Sequence, residues 1–297
     1  MESKSAEYVA ISDIHNDLTS ARASLRERGL IEKHSDEWHD DVHDVHIVLT
    51  GDLVNREAPD HAVIRLFRHL AEHPKHNNTV TLLLGNHELD LLTTAATGSQ
   101  RVRLKPKDLA FLETGQIIYK RGPVLFLHAY PTQALLEDMV AQYEEHGGDV
   151  PNEAWHINEQ CTQACNMLPY APLESAHIFQ ELGAYATTTR SQMLERAESD
   201  VAQDTATAKL LERLQVKVVV HGHKRRVSGK QAIEKYMPGI CMVNNDTAIA
   251  LTKNPDHEHR IGSTIVRTDG DAVDVVCVHG AHASRPNHVH TVHKKLH

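Results

Sequence analysis

Residues 45–56 read VHIVLTGDLVNR. The run VHIVL contains no turn-forming residue, and Thr50, Gly51 and Asp52 follow it at once. A short aliphatic run closed by polar residues reads as a strand buried on both faces. The same shape recurs along the chain. YVAI at 8–11 leads into Ser12-Asp13-Ile14-His15, and TVTLLL at 79–84 leads into Gly85-Asn86-His87-Glu88. PVLFL at 123–127 leads into His128, and VKVVV at 216–220 leads into His221-Gly222-His223. Each strand therefore ends in side chains able to bind a metal.

Helical patterns separate these strands. Between 59 and 70, Pro59 and Asp60 open a helix in which Val63, Leu66, Phe67 and Leu70 recur at helical spacing. Residues 17–28 place Leu18, Ala21 and Leu25 on one face, and Gly29 stops the helix. Alternating strands and helices imply an α/β sheet, whose ligands gather at the carboxyl ends of its strands. From about 131 to 215, Ala, Glu, Gln and Leu run in helical patterns broken by Gly147-Gly148 and by Pro169-Tyr170-Ala171-Pro172. This stretch reads as a helical insertion packed beside or over the strand ends. Beyond 230, GICMV, TAIAL, STIV and AVDVVCV read as a second, mostly antiparallel set of strands. The expected organisation is one domain over 1–278, then a His-rich tail over 279–297.

Composition narrows the function. A chain of 297 residues with 40% hydrophobic content can bury a sizeable core. A net charge of −9 and only 4% aromatics disfavour nucleic-acid binding, which needs cations and stacking surfaces. The start MESKSAEYVAI has no apolar signal core and no run approaches membrane-spanning length, so no membrane is expected and the cytoplasm is the expected compartment. Cys161, Cys165, Cys241 and Cys277 have no disulfide or zinc-knuckle spacing and read as reduced thiols, the first two as packing residues. Of 24 histidines, six crowd the last nineteen residues, a tail read as solvated and poorly ordered.

The strand ends carry the chemistry. Hydrolysis of a phosphate ester needs a nucleophile at neutral pH and positive charge near the phosphate oxygens, and two metal ions about 3.5 to 4 Å apart supply both. Asp13 and His15, two apart on a strand exit, can reach one ion; Asp52 can bridge; Asn86, His128 and His223 can complete the second. Asp, Asn and His without cysteine suit Mn²⁺, Fe or Zn²⁺, and the neutral Asn oxygen favours the harder ions, Mn²⁺ first. Taken alone, Asp13 and His15 would be a turn cap and a surface histidine, and His128 a satisfied core histidine. Five such motifs in order at five strand ends favour the metal. His221 and His223 compete for one place, and the Gly-His register selects His223.

In this order, Asp-x-His, Gly-Asp-x-x-x-Arg, Gly-Asn-His-Glu, a lone His and Gly-His resemble the calcineurin-like metallophosphoesterases. GDLVNR and the full Gly-Asn-His-Glu are most similar to the phosphoprotein-phosphatase branch, which includes bacterial phosphatases. The resemblance covers 8–128, resumes at 216–224, and says nothing of the insertion. It implies a four-layer sandwich of two mixed sheets flanked by helices, two divalent ions, and in-line attack by a metal-bridging hydroxide. It further implies Arg56 and Asn86 as ligands of the phosphate oxygens, and His87 as the general acid for the leaving group. Glu88 would support the Asn86-His87 loop by hydrogen bonding.

The chain departs from that pattern in places. Asn55 stands where the branch has an Asp that pairs with the general-acid His, so the partner expected for His87 is neutral and stabilises its protonated form less. Activity should then fall above mildly acidic pH or favour good leaving groups, an idea that ends if Asn55→Asp changes neither. Glu57, Asn16 and the His128-Ala129-Tyr130 stretch alter the substrate rim, and Arg225 replaces a further histidine found in many relatives. Arg190 is the candidate for the second phosphate-binding arginine of the branch. The expected substrate is a phosphoprotein or a small phosphorylated metabolite. A dinucleoside polyphosphate hydrolase or phosphodiesterase is the rival, and a non-catalytic phosphate-binding module the third reading.

Overall fold

Along β1 (Ala6–Ile11), alternate side chains enter different cores. Val9 and Ile11 join helices on one face, while Tyr8 and Ala10 pack between two sheets. A strand has a period of two, so this split follows from its pleat. The computed structural model describes residues 6–54, 61–98, 104–187, 200–223, 232–237, 239–246, 260–269, 272–281 and 289–296.

The first sheet contains β1, β2 (Val45–Leu49), β3 (Thr79–Leu82) and three late strands, here named β9 (Arg260–Asp269), β10 (Ala272–Ala281) and β11 (Val289–Leu296). Its order is β11-β10-β9-β1-β2-β3, parallel from β1 to β3 and antiparallel from β1 through β11. The second sheet holds β4 (Ile118–Arg121), β5 (Val124–Leu127), β6 (Val218–His221), β8 (Ile240–Asn244) and β7 (Ala232–Met237), in that order. In it β5, β6 and β8 run parallel and the edge strands antiparallel. Between the sheets lie Val48, Phe126, Val220, Val243, Val266 and Val275, all buried.

The outward-facing alternates are covered by helices. α1 (Leu18–Glu27) packs on β9, and α2 (Ala62–Glu72) on β3. The result is helix, sheet, sheet, helix: an α/β fold with two mixed sheets. Asp17 caps α1, its carboxylate accepting the Ser20 N–H at 3.0 Å, and Gly29 ends it at a φ of 64°. In α2, Val63, Leu66, Phe67 and Leu70 are buried as their spacing predicts, although the helix begins at Ala62; the expected start at Pro59 and Asp60 lies outside the described residues. Between β3 and β4 run α3 (Asn86–Ala96) and α4 (Pro106–Leu112).

The insertion between β5 and β6 is helical, with α5 (Gln133–Glu145), a 3-10 turn at Asn152–Ala154, α6 (His156–Met167), α7 (Pro172–Thr187) and α8 (Asp200–Arg213). Gly147 and Gly148 break it at positive φ, 67° and 92°. α5 and α8 pack together and α8 reaches β7, whereas α7 lies along α3.

Two expectations need correction. The C-terminal strands form no separate set: GICMV lies in the second sheet as β8, and STIV and AVDVVCV lie in β9 and β10 of the first; TAIAL is outside the described residues. The tail is not loose throughout either, because β11 pairs with β10 from Gly280↔Val289 to Val273↔Leu296. Cross-strand pairing with β10 supplied the order that composition could not show.

Candidate metal centre

The carboxyl ends of β1, β2, β3, β5 and β6 converge, and backbone bonds lock them together. Asp13 N–H donates to the Gly51 carbonyl at 3.0 Å, His15 N–H to Asp52 at 3.0 Å, Asn16 N–H to Leu53 at 2.8 Å, and Gly222 N–H to His128 at 2.7 Å. Asp13, His15, Asp52 and His223 all have positive φ, between 46° and 64°. Non-glycine residues adopt that region at an energetic cost, and such strain concentrates at functional sites. Gly51 sits at φ 89°, and a Cβ there would come within 2.6 Å of both the Gly85 nitrogen and His128 Nδ1. Glycine is required for these two loops to touch.

Asp52 is shared by two clusters with metal-ligand geometry, His15-Asp52-His87 and Asp52-His128-His223. Its Oδ2 lies 3.9 Å from both His15 Nε2 and His87 Nε2, and its Oδ1 lies 3.4 Å from His128 Nε2. The Asn86 side-chain oxygen is 3.3 Å from the same His128 Nε2. Two rings are oriented from behind. His128 Nδ1 donates to the Thr50 carbonyl at 2.7 Å, and His15 Nδ1 to the Val54 carbonyl at 3.3 Å. A carbonyl only accepts, so each Nδ1 donates to it and each Nε2 is turned toward Asp52, an orientation suited to a metal ligand.

Glu88 holds the frame. Its buried carboxylate accepts the N–H groups of Asp52 at 2.8 Å, Gly85 at 2.9 Å and Val54 at 3.2 Å. Burial and the nearby Asp52 charge raise its pKa to about 7. Asp13 accepts from Ser12 Oγ and from the His223 N–H at 3.1 Å.

The electrostatics call for cations. Burial would raise Asp52, but His128, His87 and His15 outweigh it and hold this carboxyl well below the ordinary value. Asp13 is pushed well up by burial, then by Asp246 and Asp52. Burial lowers His128, yet Asp52 and Asp13 outweigh it and push it up to about 10, while burial and the His128 charge bring His223 down to about 4. Buried carboxylates are costly unless paired, and among the described residues every ion-pair partner of Asp52 is a histidine. This donor set of carboxylate, amide and imidazole with no thiolate fits divalent metal ions.

Of the residues predicted from sequence, Asp13, His15, Asp52, Asn86, His87, His128 and His223 come together. Asn55, Arg56 and Arg190 lie outside the described residues. His221 belongs to neither cluster; it is buried against Tyr130, ring centroids 6.1 Å apart. The residue that sequence reading missed is Asp246, buried just past β8 and close enough to raise Asp13. Its signal was there: GICMV is followed by Asn244-Asn245-Asp246, the same polar closure that marks the other strand ends.

The family model described as calcineurin-like phosphoesterase matches residues 7–224. Among curated proteins, none matches the sequence. The fold is shared with the cold-active protein-tyrosine phosphatase of the psychrophile Shewanella sp., at 15% identity and TM-score 0.61, over 98% of this chain and 80% of that one. Weaker similarity, at TM-score 0.48 and 13% identity, links it to a Saccharomyces cerevisiae protein serine/threonine phosphatase over 89% of this chain and 73% of that one. Vps29 from Chaetomium thermophilum aligns over 98% of each chain at 12% identity and TM-score 0.41. With its candidate strand-end ligands assembled and the family model spanning all of them, this chain belongs to the calcineurin-like phosphoesterase family and is a metal-binding phosphoester hydrolase.

Proposed function

We propose that the chain hydrolyses phosphate monoesters, carried on a phosphoprotein or a small phosphorylated metabolite, with two divalent ions, Mn²⁺ first among them. The observation that carries this reading is that Asp52 belongs to both ligand clusters. One ion would be held by Asp13, His15 and Asp52, and the other by Asp52, Asn86, His128 and His223. When bound, the pair supplies positive charge at the phosphate oxygens and a nucleophile at neutral pH.

The chain's own residues do the rest. His87 opens α3 beside Asp52, and its side chain keeps 19% exposure where His128 keeps 1%, which leaves it accessible to a leaving group. It is the proposed general acid, protonating the departing oxygen as the ester bond breaks. Arg56, Asn86 and Arg190 are the proposed phosphate ligands, and Asn55 the neutral partner of His87. A monoester is favoured because the Shewanella relative is a protein-tyrosine phosphatase. All four cysteines are free and buried, in keeping with a reducing cytoplasm, and no described helix is long and apolar enough to cross a membrane.

The test is hydrolysis of p-nitrophenyl phosphate and of its bis-ester by metal-stripped protein resupplied with Mn²⁺, Fe²⁺, Zn²⁺ or Mg²⁺. Metal-dependent monoester cleavage, lost in Asp52→Asn and lowered in His87→Ala, supports the reading. Preference for the bis-ester would move it to a phosphodiesterase, and no turnover with any metal would overturn it.

A further inference from the structure

A cavity in the described structure lies away from the metal centre. It has a volume of about 1220 Å³ and opens where β5, β6 and β8 begin: Pro123, Lys217 and Ile240, the residues at those amino ends, form its floor. The opposite ends of the same strands carry His128, His223 and Asp246. The other walls are α5 through Tyr143, the turn over 148–153, and α8 through Ala208 and Lys209. Small-molecule sites usually enclose about 300–1,000 Å³, so this space can hold a metabolite with room for water.

Hydrogen bonds and packing tie its walls together. The Asn152 side chain accepts the Lys120 N–H at 2.6 Å and donates to the Lys120 carbonyl at 3.0 Å. Tyr143 donates its hydroxyl proton to Gln215 at 3.0 Å, and a Cβ on Gly148 would lie 3.4 Å from the Tyr143 ring. The lining mixes an apolar surface, from Val150, Pro151, Val216 and Ile240, with four cations, Lys120, Arg121, Lys209 and Lys217, against three acids, Asp149, Glu153 and Glu212. A cationic majority is notable in a chain whose net charge is −9. Lys120 Nζ has three donors and gives one to the Gly122 carbonyl at 3.1 Å, its ammonium lying 4.8 Å from the Tyr143 ring centre. Burial lowers the pKa of this amine and the neighbouring Asp149 carboxylate opposes that shift, as an anion beside the charged form does. Trp155, in the same wall and 1% exposed, has an indole N–H with no acceptor among the described residues.

We propose that this cavity is a second ligand site, taking a small organic anion that carries one acidic group on an apolar body, with Lys120 and Lys209 meeting the acid and Val150 and Ile240 the body. The site stands apart from the metal centre and does not depend on the phosphatase reading.

Anilinonaphthalene sulfonate has this chemistry and brightens in apolar surroundings, so it is the probe. Titrated into the folded, metal-loaded chain, it should saturate at one equivalent. Lys209→Glu reverses an exposed charge on α8 and Lys120→Met removes the ammonium; each should weaken binding about tenfold, the worth of a charged hydrogen bond. Val150→Trp should fill the space and block the probe. Asp52→Asn should leave probe affinity unchanged. No saturable binding, parental affinity in both lysine variants, or binding lost in folded Asp52→Asn would each overturn the proposal.

Discussion

The Glu88 carboxylate accepts the backbone N–H of Asp52 at 2.8 Å, so the residue shared by both ligand clusters is positioned by a buried acid that begins no cluster itself. Three N–H groups converge on that carboxylate. An amide in its place would turn an NH2 group toward donors. Glu88→Gln should therefore cost about 1–3 kcal/mol of stability for the unsatisfied donor and weaken metal binding about tenfold or more, as loss of outer support does. Urea unfolding and chelator competition would measure the two effects, and unchanged metal affinity would show that Asp52 is placed without Glu88.

Because Asp52 alone is common to the clusters, the other ligands should act on one ion each. His15→Ala and His223→Ala should each lower the metal content of purified protein from about two ions to about one, whereas Asp52→Asn should lower both. Elemental analysis after gel filtration reads this directly. Two ions retained in either histidine variant would remove that residue from the ligand set.

Gly222 closes the site through shape. A Cβ there would collide with Ser12 Oγ and the Asp13 carboxylate. Gly222→Ala should push Asp13 aside and cost about tenfold or more in metal affinity, as misplacing a ligand does. Its secondary structure by circular dichroism should match the parent. Parental metal affinity would mean that Asp13 lies outside the ion's reach.

Stability at acid pH should report on His46, far from the metal. This β2 side chain is held between Thr81 Oγ1 at 2.8 Å and the Tyr119 hydroxyl at 3.3 Å, and burial followed by the Arg121 charge lowers its pKa to about 4. The unfolded chain takes up a proton near the ordinary value while the folded chain refuses it until about pH 4. Stability is therefore lost as pH falls through this window, by at most about 3 kcal/mol, and is unaffected above it. In His46→Gln the loss over pH 6.5 to 4 should be smaller by that amount. Parallel unfolding-against-pH curves for the two proteins would reject the assignment.

The α6 residue Asn158 ties the insertion to the second sheet. Its amide accepts the N–H groups of Ile117 at 2.9 Å and Ile118 at 3.2 Å, and donates to the carbonyls of Ile118 at 2.9 Å and Asn152 at 2.7 Å. Asn158→Leu keeps the volume and strands those buried groups, which should cost about 2–4 kcal/mol. A shift below about 1 kcal/mol in denaturant unfolding would show that water replaces the amide.

The sequence by itself determined the strand ends. An aliphatic run closed by Asp, Asn or His is a local pattern that reads as a parallel strand with polar residues at its exit, although β3, which leads to Asn86, lies at the edge of its sheet. The placing of Asp13, Asp52, Asn86, His128 and His223 at strand ends was legible for that reason, as was the helical character of the insertion. Tertiary structure decided what depends on pairing between distant segments. VHTVHKKL becomes a strand because β10 supplies its partner, and STIV and AVDVVCV join the first sheet because β9 pairs with β1. Asp246 reaches Asp13 only because β8 lies beside β6, and His223 is separated from His221 by a turn that sends one ring to His128 and the other to Tyr130. The distal cavity has no motif at all: it exists where three strand beginnings, a turn and two helices meet, and no single stretch of chain contains that meeting.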